Sequence, residues 1–347
     1  MDRPIARFTR SQMRGGRFSL KISGRLLPWS NRKWHFSPGC FTCWTKTPGV
    51  CIQKDDMANE LLEKFINPEL VVYGTPLYHF TLTASMKAFI ERTLPLLQPY
   101  LNANGDATTH PLRHKFPKAV VVSVAGFPEM SVFDQLSSWV RFIFGRNGNL
   151  VAEIYRPAAE IMTVPIFEDK VRQILEATEK AGQEIVRSMK ISDETLARMT
   201  QDIVMDKELY RKIANLSWKS CIAEGVTPKE FSEKGFIPRP DSVETFMMIL
   251  PFGFNPVGAG DMKSVIQFNF SGDVQGACHF CIENGTISAI PGSAESPALT
   301  IDSPFDVWMD IMTGKADGQQ MFMSQGYTVK GDLNLLMRMN QIFGKQG

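Results

Sequence analysis

Long apolar runs are missing from this 347-residue chain. The longest with strand character, Ala119 to Val122, resumes after Ser123 only for Val124 and Ala125, far short of the ~20 residues a membrane helix needs. No transmembrane segment is expected. The first 30 residues mix basic, polar and apolar side chains without the apolar centre of a secretory signal, so a cytoplasmic location is the expectation. Cysteine is sparse: six residues, with no export signal, fit reduced thiols better than a disulfide framework. Acidic residues are nearly absent from 1–54, where eleven Lys/Arg face Asp2 alone, which leaves 27 basic and 35 acidic residues from Asp55 onward. The basic residues of that arm are scattered among Gly, Ser, Pro and Trp rather than set on one helical face, which speaks against a nucleic-acid partner. The five histidines show no metal spacing; His110 and His114 lie four apart but flank Pro111.

What is present from Asp55 onward is an alternation of helix and strand patterns, the signature of a parallel sheet covered on both faces. Asp55 or Asp56 can cap a helix with the stripe Met57, Leu61, Leu62 and Phe65, ended by Pro68. "ELVVYGTP" (69–76) and "KAVVVSVAGFPE" (118–129) read as buried strands running into loops, and "NLVAEIYRPA" (149–158) as a further strand. Between them, Leu82 to Leu97 and the set Phe133, Leu136, Val140 and Ile143 have helical periodicity. Residues 166–223 carry that periodicity without strands, and "GFIPRPDS" (235–242) marks a boundary. Beyond it "SVIQFNF" and "VQGACHFCI" alternate with period two, and "ENG" (283–285) supplies hairpin chemistry. Ser303, Pro304 and Asp306 read as the start of a helix with Phe305, Trp308, Met309 and Met312 on one face, stopped at Gly314. "DLNLLMRMNQIF" (332–343) reads as a terminal helix.

In an open parallel sheet a ligand sits beyond the carboxyl ends of the strands. Two loops are expected there, "GTPLYHF" (74–80) and "VAGFPE" (124–129), each joining small residues to an aromatic that can cover a flat ligand. The backbone N–H groups of Leu77, Tyr78 and His79 are candidate donors to a polar ring edge. Earlier in the chain "GCFTCWTKTPGVCIQKDDM" (39–57) gathers Cys40, Cys43 and Cys51. Zinc would need a second pair, and Cys278 and Cys281 are three apart in a strand pattern, on opposite faces. An iron–sulfur cluster normally takes four cysteine ligands. A low-pKa dithiol would want Cys40 at a helix N-terminus, whereas "WTKTPGV" reads as loop. The stretch therefore reads as a loop entering the Asp55-capped helix, with no metal. Trp44 reads as the cover of a ligand-site rim or of a subunit interface.

Taken in order and spacing, "GCFTCWTKTPGVCIQKDDM", "VVYGTPLYHFTLTASMKAFIERTLPLL" and "VVVSVAGFPE" resemble the NAD(P)H-dependent FMN reductase branch of the flavodoxin-like superfamily, over about residues 38–160. The resemblance implies an α/β doubly wound parallel sheet and FMN across the two loops. Thr75, Pro76, Leu77, Tyr78 and His79 would lie beside the isoalloxazine and Ala125, Gly126 and Phe127 on its other edge. NADH or NADPH would be the electron donor, with hydride transfer carried by the flavin and no catalytic side chain. One departure is expected: the family's first strand and phosphate-binding loop should precede residue 38, and only "GGRFSLKISGR" (15–25) reads as a strand there, the second of the sheet. An altered or truncated N-terminus, with weakened FMN affinity, follows as an expectation.

Residues 243–345 resemble a sterol-carrier-protein lipid-binding domain: a strand ending "SGD", the "ENG" hairpin, a "TID" strand, "TGKADGQQMFMSQG" and "YTVKGDL" before a last helix. The resemblance implies an α+β domain with a mainly antiparallel sheet and an apolar tunnel for fatty-acyl or sterol-like ligands. Phe268, Phe280, Trp308, Met309, Met312, Phe322 and Met323 are the candidate lining. Nine of the eighteen methionines fall in 245–347, suited to a wall that accepts varied apolar shapes. The expected organisation is an atypical basic N-terminus (1–37), a flavodoxin-like domain (38–165), a helical connector (166–240) and a lipid-binding domain (241–347). Two functions compete: an FMN-dependent NAD(P)H oxidoreductase with a lipid-binding domain, homo-oligomeric by analogy, or a lipid carrier whose flavodoxin-like half is degenerate and non-enzymatic.

Overall fold

A computed structural model describes residues 33–105, 107–164 and 167–343. The expectations about "GGRFSLKISGR" and the phosphate loop lie outside the described residues. The chain divides into two compact units, one running to Met205 and the other starting at Asp206. Among the described residues no helix is long and apolar enough to cross a membrane.

The first unit is built on three parallel strands in the order β1-β4-β5: β1 (Leu70–Pro76), β4 (Lys118–Val124) and β5 (Leu150–Arg156). A hairpin of β2 (Asn102–Asn104) and β3 (Ala107–Thr109) stands apart in the polar loop. The registers Tyr73↔Val121 and Thr75↔Ser123 bring the carboxyl ends of β1 and β4 level. Because successive side chains alternate across a sheet, Tyr73, Ala119 and Val121 face one layer, where Met57, Phe65, Phe89, Leu136 and Val140 are buried with them. Leu70 and Val120 face the other and meet Ile185 of the helix Glu168–Ser188. The helices therefore cover both faces, as the doubly wound pattern requires.

Two helices are shorter than their sequence pattern. The segment expected over 82–97 is helical only from Ala84 to Glu91, capped by Thr83, whose hydroxyl accepts from the Met86 N–H (3.3 Å), and it gives way to a single tight turn, Leu94–Leu96, around Pro95. The expected terminal helix is two pieces, Leu333–Met337 and Met339–Phe343.

The second unit has a five-stranded sheet, β10-β9-β6-β7-β8. Its strands are β6 (Ser264–Ser271), β7 (Gly276–Glu283), β8 (Thr286–Pro291), β9 (Leu299–Pro304) and β10 (Thr328–Gly331). The β6-β7-β8 meander is antiparallel, β9 pairs parallel to β6, and β10 runs antiparallel to β9. Asn284 and Gly285 both take positive φ (53° and 70°), the backbone of a tight hairpin whose twist matches the strands. One face of the sheet is buried: Phe246, on the helix Val243–Ile249, meets Phe268, Phe270 and Phe280 edge-on at centroid distances of 5.0, 5.0 and 5.6 Å. The helix Phe305–Met312 adds Phe305, Trp308 and Met309 to that core. Its expected side-chain cap is not made, since Ser303 Oγ bonds the Pro304 carbonyl instead (2.9 Å).

The division between the two units falls inside the segment 166–240. Its helices Glu168–Ser188 and Asp193–Thr200 belong to the first unit, with Ala177, Ala181 and Met199 packed together. Lys207–Glu224 and Pro228–Glu233 belong to the second. There Ser220 Oγ accepts from the Arg239 N–H (2.9 Å), and Arg239 pairs with Asp310 at 2.5 Å. The division follows from which apolar faces have a partner, information that helical periodicity alone does not carry.

Candidate functional site

The carboxyl ends of β1 and β4 deliver the two loops side by side. The Leu77 N–H donates to the Val124 carbonyl (2.8 Å), so the first loop is tied to the end of β4. The Tyr78 N–H donates to the Thr81 carbonyl at 3.2 Å. Two of the three N–H groups expected to serve a ligand are thus already used in shaping the loop. Thr75 is buried and its hydroxyl lies within 3.4 Å of the Thr83 N–H, joining the strand end to the start of the next helix. His79 and Phe80 hold positive φ (48° and 62°), an uncommon backbone for such residues. That turn leaves Tyr78 and Phe80 exposed, as Phe127 is on the second loop, and Phe80 stacks on Phe127 across the two loops, rings nearly parallel at 6.3 Å.

The second loop is held from beneath by the segment after β5. The Ala158 N–H donates to the Phe127 carbonyl (2.8 Å) and the Ala159 N–H to the Ala125 carbonyl (2.9 Å), with Ala158 at φ 48°. A Cβ on Gly126 would come within 3.1 Å of Glu160 Oε1. Glycine there lets a carboxylate lie against the loop backbone, a relation nothing in the sequence flags because Gly126 and Glu160 are joined only through β5. Ser123, one residue before the end of β4, is buried with its hydroxyl unpartnered.

The exposed aromatics on both loops, Tyr78, Phe80 and Phe127, would suit a flat, apolar-faced ring system. For FMN, Pro76 to His79 and Ala125 to Phe127 would hold the isoalloxazine, while Thr75 serves through the loop's shape. When bound, FMN supplies two-electron transfer between a nicotinamide and an acceptor.

The cysteine stretch leads into the helix that starts at Met57. Cys40 is exposed, Cys43 buried and Cys51 half-buried, all as free thiols. Thr42–Thr45 make one helical turn, and the Gly49 N–H returns to the Cys43 carbonyl (2.9 Å) with Gly49 at φ 83°. The chain then reaches Asp55, whose Oδ1 accepts from the Ala58 N–H (3.2 Å) and so caps the helix as the sequence suggests. The sequence does not announce the partner of Asp55. Arg92, 37 residues on, grips both carboxylate oxygens at 2.7 and 2.9 Å, and its free edge reaches the His35 carbonyl (2.6 Å) and Cys51 Sγ (3.5 Å). Trp44 Nε1 bonds the Leu94 carbonyl (3.0 Å) and its ring packs against His110 at 4.7 Å. In the second unit Phe268, Phe280, Trp308 and Met309 are buried together and Met312 packs against them, whereas Phe322 and Met323 are exposed on the short helix Gly318–Met323.

Comparison with known proteins follows the same division. Residues 31–148 match the family model described as NADPH-dependent FMN reductase, and residues 260–344 match that of the SCP-2 sterol transfer family. An iron-sulfur flavoprotein of Archaeoglobus fulgidus is 41% identical over 66 residues, 19% of this chain and 29% of that protein. An FMN-dependent NADH:quinone oxidoreductase of Methylorubrum extorquens is 47% identical over 51 residues, 14% of this chain and 24% of that protein. The chain thus spans less than a third of the length of these curated relatives. Among solved structures, sterol carrier protein 2 of Yarrowia lipolytica in its apo form is 14% identical, with 30% of this chain and 97% of that one covered, at a TM-score of 0.25. The chain thus joins a segment that matches the NADPH-dependent FMN reductase model, residues 31–148, to one that matches the SCP-2 sterol transfer model, residues 260–344.

Proposed function

We propose that the protein is an FMN-dependent NAD(P)H oxidoreductase whose second unit binds an apolar, lipid-type ligand. The observation that carries the first part is the pair of loops at the level carboxyl ends of β1 and β4, bridged by the Phe80–Phe127 stack with Tyr78 exposed beside it. The chain's own residues position and shield a ring system there: the loops are locked to one another and to Ala158 and Ala159 by backbone bonds, so the aromatic rims need little reordering when a ligand enters. The second part rests on the buried aromatic and methionine face of the β6–β9 sheet. A cytoplasmic, homo-oligomeric protein is the accompanying proposal.

The decisive experiment titrates FMN into the purified chain and follows the flavin absorbance bands, then adds NADH or NADPH with menadione as acceptor. One FMN per chain and FMN-dependent nicotinamide oxidation are expected. A protein that stays colourless after FMN addition and desalting overturns the oxidoreductase reading and leaves lipid carriage to the second unit.

A further inference from the structure

Beside the start of β6 the second unit has a cleft of about 360 Å³. Its polar lining is Asp261, Ser264, Asp332, Asn334 and Arg338. The apolar part of the lining includes Ala259 and Leu335, which are buried members of the sheet's core, and Met262, which packs against that core. Charges of both signs therefore stand at the border of an apolar interior. Main-chain bonds hold the walls: the Asp332 N–H donates to the Ala298 carbonyl (2.9 Å), and Asp332 Oδ1 caps the helix Leu333–Met337 by accepting from the Asn334 and Leu335 N–H groups (2.8 and 3.4 Å). Arg338 Nη2 donates to the Gly258 carbonyl at 3.3 Å. A Cβ on Gly258 would collide with the Gln341 carbonyl, so the turn Pro256–Ala259 lies flush on the helix Met339–Phe343.

The charges that line this cleft do not neutralise one another. Among the described residues Arg338 has no carboxylate within ion-pair distance and Asp261 has no cation there. Lys263, the cation nearest Asp261 in sequence, is committed to Glu283 at 2.7 Å. The second oxygen of Asp332 is left over from capping. An inorganic anion would answer Arg338 and meet repulsion from the aspartates, and a simple cation the reverse. A molecule that carries both signs a few bonds apart answers both. Its cationic end has to donate, because carboxylates only accept: a primary ammonium brings three N–H donors and a trimethylammonium none. Its anionic end meets a guanidinium, whose planar fork suits phosphate oxygens.

We propose that this cleft binds a phosphorylated primary amino alcohol, the phosphoethanolamine group, with its phosphate on Arg338 and its ammonium on Asp261 and Asp332. The group can come as the free compound or as the head of a lipid whose apolar part meets Ala259 and Leu335. This goes beyond the apolar-ligand reading of the second unit, since it assigns a polar site with a ligand of its own.

The test titrates the ¹⁵N-labelled full chain with O-phosphoethanolamine, phosphocholine, ethanolamine or inorganic phosphate and follows the amide peaks of 259–264 and 332–338. Phosphoethanolamine should shift them saturably and bind about threefold to tenfold more tightly than phosphocholine, the size of one charge-assisted hydrogen bond in an open cleft. D261N and R338M, both at exposed positions, should each weaken it by about fivefold or more. Sedimentation with vesicles of phosphatidylcholine, pure or mixed equally with phosphatidylethanolamine, separates the two sources. Retention on the mixed vesicles alone, lost in D261N and R338M, assigns the site to the lipid head; a saturable response to the free compound without retention assigns it to the soluble one. Absence of both responses, equal affinity for phosphoethanolamine and phosphocholine on the native chain, or variants that bind as wild type does, overturns the inference and leaves the apolar core of the unit standing as a ligand site.

Discussion

Arg92 and Asp55 form a two-point ion pair in which both side chains are only 2% exposed. It joins the end of the helix Ala84–Glu91 to the cap of the helix starting at Met57, and Arg92 also reaches the His35 carbonyl and Cys51. Removing either partner strands the other charge in the interior. R92M or D55N is therefore expected to lower stability by about 3–5 kcal/mol, read as a lower urea midpoint with an unchanged slope. Burial pushes the Asp55 carboxyl up, but Arg92 and the N–H groups of His35 and Ala58 outweigh it and hold the group below its usual range. A depressed carboxylate contributes stability that is complete above the unfolded-state value of about 3.9 and is lost as pH falls through the lower folded value. The acid limb of stability against pH should consequently flatten in D55N.

The aromatic rims of the two loops carry the flavin proposal. F127A and Y78A, both at exposed positions, should leave the unfolding midpoint nearly unchanged and weaken FMN uptake by about threefold to tenfold each, the range of one ring contact. Equilibrium dialysis against FMN measures this directly.

Arg156 ties β5 to the helix Asp193–Thr200. Its guanidinium donates to the Gln201 carbonyl (2.7 Å) and to the Met199 carbonyl from an almost fully buried position. R156M keeps the length and removes the donors, which should cost about 2–4 kcal/mol. Hydrogen exchange should accelerate across 193–203 more than in β1 or β4.

Two glycines with positive φ should separate strain from collision. Gly285 (φ 70°) has open space around a Cβ apart from Pro256 at 3.9 Å, so G285A should cost about 1–2 kcal/mol. At Gly331 (φ 98°) a Cβ would run into the Ala298 backbone carbonyl. G331A should therefore cost about 3 kcal/mol or more and loosen β10 from β9. The two melting temperatures order the effects.

The thiols should label in order of exposure and acidity. Cys40 is exposed, and hydrogen bonds from Thr42 lower its thiol from the ordinary value, whereas burial pushes Cys278 up to about 12. Iodoacetamide at pH 7.5 should modify Cys40 first and Cys278 only on unfolding, as timed peptide mass spectrometry will show. Because the Cys40 shift is downward, its labelling should reach half-maximum at a lower pH than that of a free thiol.

Local patterns settled much of this molecule. The strands 70–76, 118–124 and 150–156 were legible because both faces of a parallel sheet are apolar. The meander from Ser264 was legible because only one face is buried, and Asn284-Gly285 because few dipeptides accept two positive φ angles. Where side chains meet across long separations, pattern carried no signal. Nothing in the sequence singles out Arg92 or Glu160, and Trp308 reads there only as part of an apolar lining. The first finds Asp55 37 residues away, the second lies against Gly126, and the third keeps an unpaired N–H. Periodicity fixes which face of an element is apolar and thereby the layers. Only the packed chain decides which single polar atom is left inside them, because that depends on distances between segments the sequence holds far apart.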